Sequence, residues 1–341
     1  MVDDTKHTSY TRRRIKIKET TKIGLVGLSA GLVFGKYRAI KEQRSFRSLV
    51  LERLLPHIPA LPEIKTEQDF QEALEKSKRR YQLPKAVAAL YHVHYIQGQK
   101  GVLEMNPPIV NSKNQVIFYV HGGGYWEQPT IAHFATIHRL STELGLRVIM
   151  PIYPKAPAYN AYDAYDMVLK SYLSLLNEQQ VDSAKIIFIG DSAGAGLILA
   201  LLQRLRDKHL PLPQQAFLLS PWLDITNSNG QMAKIQPVDP MLDLSNLKLL
   251  GKYYAGDLEP RDPLVSPLYG DSAALPPIYV FTGDHDILNA DAVKFQQMAN
   301  KKGWNVTTFY YHAMSHVFSL FPTPEGLDSL KRIVRIIQTS N

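Results

Sequence analysis

Apolar positions in this chain fall into two rhythms. Apolar runs cover residues 116–120, 186–189 and 277–281, and a strand-like run with two threonines covers 306–311. Their length and branched or aromatic content suit strands buried on both faces. Between them, apolar residues recur every three or four positions. That spacing predicts helices over 130–144, 161–176, 193–207, 290–302 and 324–339. Strand and helix alternating from residue 116 onward predict an α/β fold, with a mostly parallel sheet covered by helices on both faces. Upstream, helical patterns over 41–55 and 67–81 lack intervening strands. Residues 223–265 break the alternation with Pro237, Pro240, Pro260 and Pro263. No repeat of solenoid period is present.

Chemistry gathers where strands end. The run Ile186-Ile187-Phe188-Ile189 leads directly into Gly190-Asp191-Ser192-Ala193-Gly194, and a helical pattern follows. This is G-x-S-x-G in its meaningful setting of strand, sharp turn and helix. Glycine on both sides removes Cβ atoms from a crowded turn. Ser192 Oγ is then pushed over the carboxyl end of the sheet, where helix N–H groups point. The run Val116-Ile117-Phe118-Tyr119-Val120 leads into His121-Gly122-Gly123-Gly124. A loop whose N–H groups must approach a substrate oxygen to about 2.7–3.1 Å has no room for side chains. Tyr125 and Trp126 follow it directly and are expected to touch substrate.

A serine nucleophile needs a base, and the base needs an orienting carboxylate. Downstream of Ser192, a strand pattern ends in Thr282-Gly283-Asp284-His285-Asp286, offering two carboxylates. His316 follows the next strand pattern and precedes the last helix, so it is the candidate base; His312 is the runner-up. His285 is too close to Asp286 to bridge to Ser192. His121 is read as orienting its own loop. His92 and His94 alternate as if on one strand face, but no third ligand sits at metal-site spacing. His133 is among the histidines without a nameable partner.

Together these residues resemble the hormone-sensitive-lipase-like branch of the α/β-hydrolases, which includes bacterial carboxylesterases and acetyl esterases. The resemblance covers residue 116 to the C-terminus. It rests on His121-Gly122-Gly123-Gly124-Tyr125-Trp126, the Ser192 elbow, Tyr153-Pro154-Lys155-Ala156-Pro157, Ser220-Pro221-Trp222-Leu223-Asp224, Asp286-Ile287-Leu288 and Met314-Ser315-His316-Val317-Phe318. Ile287 stands where Pro is usual, and Val317 where Gly is usual. The resemblance implies an α/β-hydrolase fold with a helical cap. It selects Asp286 over Asp284 as the acid, and assigns the oxyanion donors to the N–H groups of Gly123, Gly124 and Ala193. It requires no cofactor.

The chain has 341 residues and no cysteine, which excludes disulfides and a thiolate nucleophile. Its net charge of +8 is confined to one end: residues 1–50 hold twelve Lys/Arg against four Asp/Glu, and the remainder is balanced. A nucleic-acid protein would carry its basic face on the folded domain. The basic end instead suits contact with an anionic membrane surface. Within it, Ile23 to Phe34 is apolar or small throughout. That segment is too short for a confident span and fits a cap helix, an interfacial helix, or a signal or anchor core.

The expected organisation is a basic tail at 1–50, cap helices and a first strand at 51–95, and a catalytic domain at 96–341. The insertion at 223–265 holds Met241, Leu242, Leu244, Leu247 and Leu250, which could line an acyl pocket or form a helix core. The function expected is a serine carboxylesterase acting on short- to medium-chain acyl esters. A peptidase or amidase on the same fold is the alternative, and a non-catalytic receptor is third. The expected location is cytoplasmic with membrane association, and a secreted or signal-anchored form fits the same N-terminal segment.

Overall fold

The computed structural model describes residues 34–58, 61–111 and 115–340. After a helical stretch over 34–41 come α1 (Phe46–Leu54), α2 (Glu67–Lys78) and α3 (Lys85–Tyr91). Two short strands follow, β1 (Val93–Tyr95) and β2 (Val102–Met105). Then strand and helix alternate: β3 (Val116–Val120), α4 (Ile131–Leu144), β4 (Arg147–Pro151), α5 (Ala161–Asn177), β5 (Ile186–Asp191), α6 (Ser192–Asp207) and β6 (Gln215–Leu219). The insertion contributes α7 (Leu244–Ala255). The chain finishes with β7 (Ile278–His285), α8 (Asn289–Lys302), β8 (Val306–Ser315) and α9 (Pro324–Thr339).

The eight strands form one sheet in the order β1-β2-β4-β3-β5-β6-β7-β8. Strand β2 is antiparallel to both its neighbours, and the pairs from β4 to β8 are parallel. Helical crossovers cover both faces, so both faces of each central strand must be apolar. Phe118, Phe188, Leu218 and Val280 pack into the core under α5, α6 and α8. Ile117, Ile187, Phe217 and Phe281 face the opposite core, under α4 and α9. Helix starts carry their signals: Thr66 and Asp69 form a reciprocal cap on α2, and Thr323 caps α9 ahead of Pro324.

In parallel strands the carboxyl ends share one edge. Register sets Val120 beside Gly190, Asp191 beside Leu219, and Leu219 beside Phe281. The loops carrying His121, Ser192, Ser220 and Asp286 therefore leave the sheet together, where open α/β sheets build their ligand sites.

Helix α1 starts at Ser45, whose hydroxyl accepts the Ser48 N–H, rather than at residue 41. The division expected at residue 50 falls inside this helix. Buried Arg44 donates to Ala313 O at 3.2 Å and pairs with Glu52, and Glu52 Oε2 meets His285 Nδ1 at 2.8 Å. Ser45 Oγ donates to Glu325 at 2.8 Å. These contacts seat α1 against the loops at the carboxyl edge. Of the apolar segment beginning at Ile23, only Phe34 lies within the described residues.

His92 and His94 do not share a strand face. His92 closes α3 with φ 53°, and His94 lies on β1 with Nε2 3.3 Å from Glu104. Among the described residues no group of three His, Cys, Asp or Glu could hold a metal ion.

Candidate active site

Strand β5 ends at Asp191, and the chain turns at Ser192, the first residue of α6, with φ 52°. A non-glycine residue at positive φ stores roughly 1–3 kcal/mol, held only where surroundings enforce it. Here the turn is jammed against the end of β3. A Cβ on Gly194 would lie 2.1 Å from Val120 O, so no side chain fits there. The Trp222 N–H donates to Ser192 O at 3.0 Å, tying the turn to the loop after β6.

His316 stands between the two groups it was expected to join. Its Nε2 lies 2.9 Å from Ser192 Oγ, and its Nδ1 lies 2.9 Å from Asp286 Oδ2. Asp286 is fully buried, and its Oδ1 accepts the Leu288 N–H at 2.9 Å. With the carboxylate on Nδ1, the neutral imidazole carries its proton there and turns a lone pair toward the serine. Burial pulls the His316 pKa down. The Asp286 charge and hydrogen bond, helped by Asp239 and Asp191, outweigh it and hold the pKa above its ordinary value.

The other candidates are occupied elsewhere. Asp284 faces His312 at 2.7 Å and caps the Ala313 N–H near the surface. His285 is held by Glu52. His316 is steadied from behind, where the Val317 N–H donates to Ser220 Oγ at 3.0 Å. Val317 itself has φ 48°, a conformation that suits the glycine more usual there.

A family model described as alpha/beta hydrolase fold matches residues 117–320. The chain belongs to the α/β-hydrolases. It is 31% identical over 228 residues to an acetyl-hydrolase of Streptomyces hygroscopicus, covering 66% of this chain and 76% of that one. It is 34% identical over 225 residues to an esterase of Acinetobacter venetianus, covering 65% and 74%. A crystal structure of an esterase from the bacterial hormone-sensitive lipase family superposes with a TM-score of 0.74 at 26% identity, covering 87% of this chain and 99% of that one.

In this hydrolase the glycine loop faces Ser192 across one cavity of about 280 Å³, which Gly123, Gly124, Ser192 and His316 all line. Gly123 has φ 102° and accepts the Trp126 and Glu127 N–H groups, closing a tight turn. Ala193 is the second residue of α6, and first-turn N–H groups have no partner within their helix. Leu51, Leu55, Ile58 and Leu61 from the N-terminal segment, with Met241 and Leu242 from the insertion, give the cavity an apolar side. The leucines expected at the pocket thus divide. Leu242 reaches it, whereas Leu244, Leu247 and Leu250 pack into the core.

Tyr125 and Trp126 do not line the cavity. Tyr125, at φ 67°, turns inward and stacks on Tyr254 at 3.5 Å between centroids and on Trp222 at 5.5 Å. Trp126 donates from Nε1 to Leu250 O at 3.2 Å and meets Tyr253 edge-on. Both rings anchor α7 to the domain. The tight turn at Gly123 and Gly124 reverses the chain before these rings are placed, so adjacency in sequence did not become adjacency to substrate.

Two supporting groups, Asp191 and His133, escaped the sequence reading, whereas His121 holds its own loop as expected. Asp191 Oδ1 accepts the Tyr119 hydroxyl at 2.6 Å and the Gly122 N–H at 3.0 Å, and Oδ2 lies 3.3 Å from His133 Nε2. It braces the glycine loop from the elbow strand. Burial pushes the Asp191 carboxyl up, but nearby His133 and the hydrogen bonds from His133, Tyr119 and Gly122 bring it below its ordinary value. His121 is fully buried, stacks on Tyr153 at 4.7 Å and bonds Gly122 O through Nδ1. Burial, then the neighbouring Lys155 and His133 charges, push its pKa well down, so it stays neutral. Only the motif position of Asp191 hinted at this role, and nothing in the spacing of His133 did.

Proposed function

We propose that this protein is a serine carboxylesterase that cleaves short- to medium-chain acyl esters through an acyl-enzyme. The observation that carries the reading is the single imidazole of His316, 2.9 Å from both Ser192 Oγ and Asp286 Oδ2. His316 Nε2 takes the Ser192 proton as Oγ attacks the ester carbonyl. The negative charge moves to the carbonyl oxygen, where the N–H groups of Gly123, Gly124 and Ala193 stabilise it. Asp286 holds the tautomer and offsets the imidazolium charge. His316 then protonates the leaving alcohol, and water repeats the cycle on the acyl-enzyme.

The cavity supports small substrates. Ligand pockets commonly span about 300–1,000 Å³, so this one lies just below that range. Its leucine side suits an aliphatic acyl chain. The names of the relatives, an acetyl-hydrolase and an esterase, agree with that class.

The test is Ser192→Ala assayed on p-nitrophenyl acetate, butyrate and octanoate, with fluorophosphonate labelling of the wild type. The expected result is a labelled wild type and a loss of roughly 10⁴–10⁶ in rate for the variant. Retained turnover in a folded Ser192→Ala protein overturns the reading. Because neutral His316 is required, activity falls as pH drops through a pKa above 6.5.

We also read the N-terminal fifty residues as the part that meets an anionic membrane surface. Their charge supports this, as do the exposed side chains of Tyr37 and Ile40 among Lys36, Arg38 and Lys41. No helix among the described residues is long and apolar enough to cross a membrane.

A further inference from the structure

A second carboxylate lies beside the candidate triad, on an element that shares no motif with it. Asp239 sits in the insertion between β6 and β7, just before Pro240. Its Oδ1 accepts the N–H groups of Met241 at 2.8 Å and Leu242 at 2.9 Å. Its Oδ2 accepts the Ile287 N–H at 2.9 Å. Ile287 directly follows Asp286, and both are fully buried. Met241 and Leu242 form part of the apolar wall of the cavity. One side chain therefore fastens the loop that carries the candidate acid to the loop that shapes the pocket.

We propose that Asp239 is a positioning residue for the Ser192 reaction, fixing the Asp286 loop and the Met241–Leu242 wall together and adding negative charge behind the His316 imidazole. This rests on the triad reading above. Three charge-assisted hydrogen bonds converge on one carboxylate, and bonds to a charged acceptor are worth more than neutral ones. All three donors belong to functional walls. If Ile287 swings out, Asp286 swings with it, and the imidazole loses its orientation. The titratable groups facing this carboxylate are Asp286 on the loop after β7 and, behind it, His316 on the loop after β8; Asp191 also faces His316. Burial and then the Asp286 charge push Asp239 up to about 6, against the pull of the Ile287, Leu242 and Met241 N–H groups. It is therefore an anion at pH 8. There it steadies the imidazolium that forms as Ser192 attacks.

The experiment is Asp239→Asn in the full chain, with kcat/KM for p-nitrophenyl butyrate measured from pH 5 to 9. An amide brings one acceptor and one donor, so whichever way it turns an NH₂ group confronts a backbone N–H. The expected result is a rate lower by about tenfold or more. The acid limb should also move to lower pH by about half a unit, because the imidazolium loses a neighbouring anion. A lower rate with the acid limb unmoved makes Asp239 a plain loop fastener and overturns the proposal, as does an unchanged rate. If the variant does not fold, the wild type decides through NMR titration of the His316 ring. A second inflection near pH 6, as Asp239 ionises, supports the proposal, and a single inflection overturns it. Ser192→Ala separates the two levels: an inactive Ser192→Ala beside an unaffected Asp239→Asn removes only the role of Asp239.

Discussion

Asp291 offers a quantitative test of how this fold handles buried charge. It lies in the first turn of α8 and is fully buried. Its Oδ1 accepts an amide hydrogen of Asn229 at 2.9 Å, and its Oδ2 has no hydrogen-bond partner among the described residues. Burial raises its pKa to about 6; the Asn229 hydrogen bond and Lys294 pull it down, and Asp224 pushes it up. An unfolded chain ionises Asp near 3.9. The folded state therefore holds this proton over about two pH units in which the unfolded state has lost it. Stability falls as pH rises wherever the native state binds more protons, so this group stabilises fully below about pH 4 and loses its contribution by about pH 6. Two units at about 1.4 kcal/mol each set an upper bound near 3 kcal/mol. The favourable end of the helix dipole lowers the cost of the anion and reduces that figure.

Asp291→Asn keeps the side-chain shape and exchanges one unpartnered atom for another, so the charge is the main change. Urea unfolding followed by circular dichroism from pH 4 to 8 gives the difference between variant and wild type at each pH, and other titrations cancel. The variant should gain about 1–3 kcal/mol relative to wild type between pH 4 and pH 7. A difference that stays flat across this range would falsify the argument.

Three further outcomes follow from other parts of the molecule. Trp126→Ala should destabilise the fold by about 3–5 kcal/mol through loss of the α7 anchor, yet leave KM for p-nitrophenyl acetate unchanged; a large rise in KM without loss of stability would return Trp126 to the pocket. Val317→Gly should raise thermal stability by the equivalent of about 1 kcal/mol, because a branched residue leaves a left-handed position; a clear loss would show that the Val317 side chain packs for more than its backbone costs. The full chain should sediment with phosphatidylglycerol vesicles in low salt and be released in high salt, with Ile40→Asp weakening capture; equal binding to neutral vesicles, or none to either, removes the membrane reading.

Local patterns were legible in the sequence where local geometry enforces them. The turn around Ser192 needs Gly194 because the end of β3 leaves no space for a Cβ, and that need appears directly as a letter in the chain. Strands buried on both faces must be apolar, so β3, β5 and most of β7 were visible as runs, whereas the partly exposed edge strand β8 was marked only by its Thr, Phe and Tyr content. Helix α6 was placed to within one residue. His316 and the pair Asp284 and Asp286 could be nominated because they lie at strand ends, and parallel strands bring their ends to one edge; the family resemblance then selected Asp286.

The directions taken by side chains past a tight turn were hidden. Tyr125 was expected beside the substrate, yet it stacks on Tyr254 from an insertion well over a hundred residues away. Asp239 and His133 carry no motif, and their partners arrive from the loop after β7 and from β5. By itself, then, the sequence determined the element order, the elbow, the glycine loop, a candidate base and a pair of candidate carboxylates. Each of these follows from backbone sterics or hydrophobic burial within a few neighbouring residues. Only the tertiary structure decided which aromatic rings anchor the insertion, which carboxylates brace the site, and how large the cavity is. Those depend on contacts between segments far apart in the chain, set by how whole elements pack.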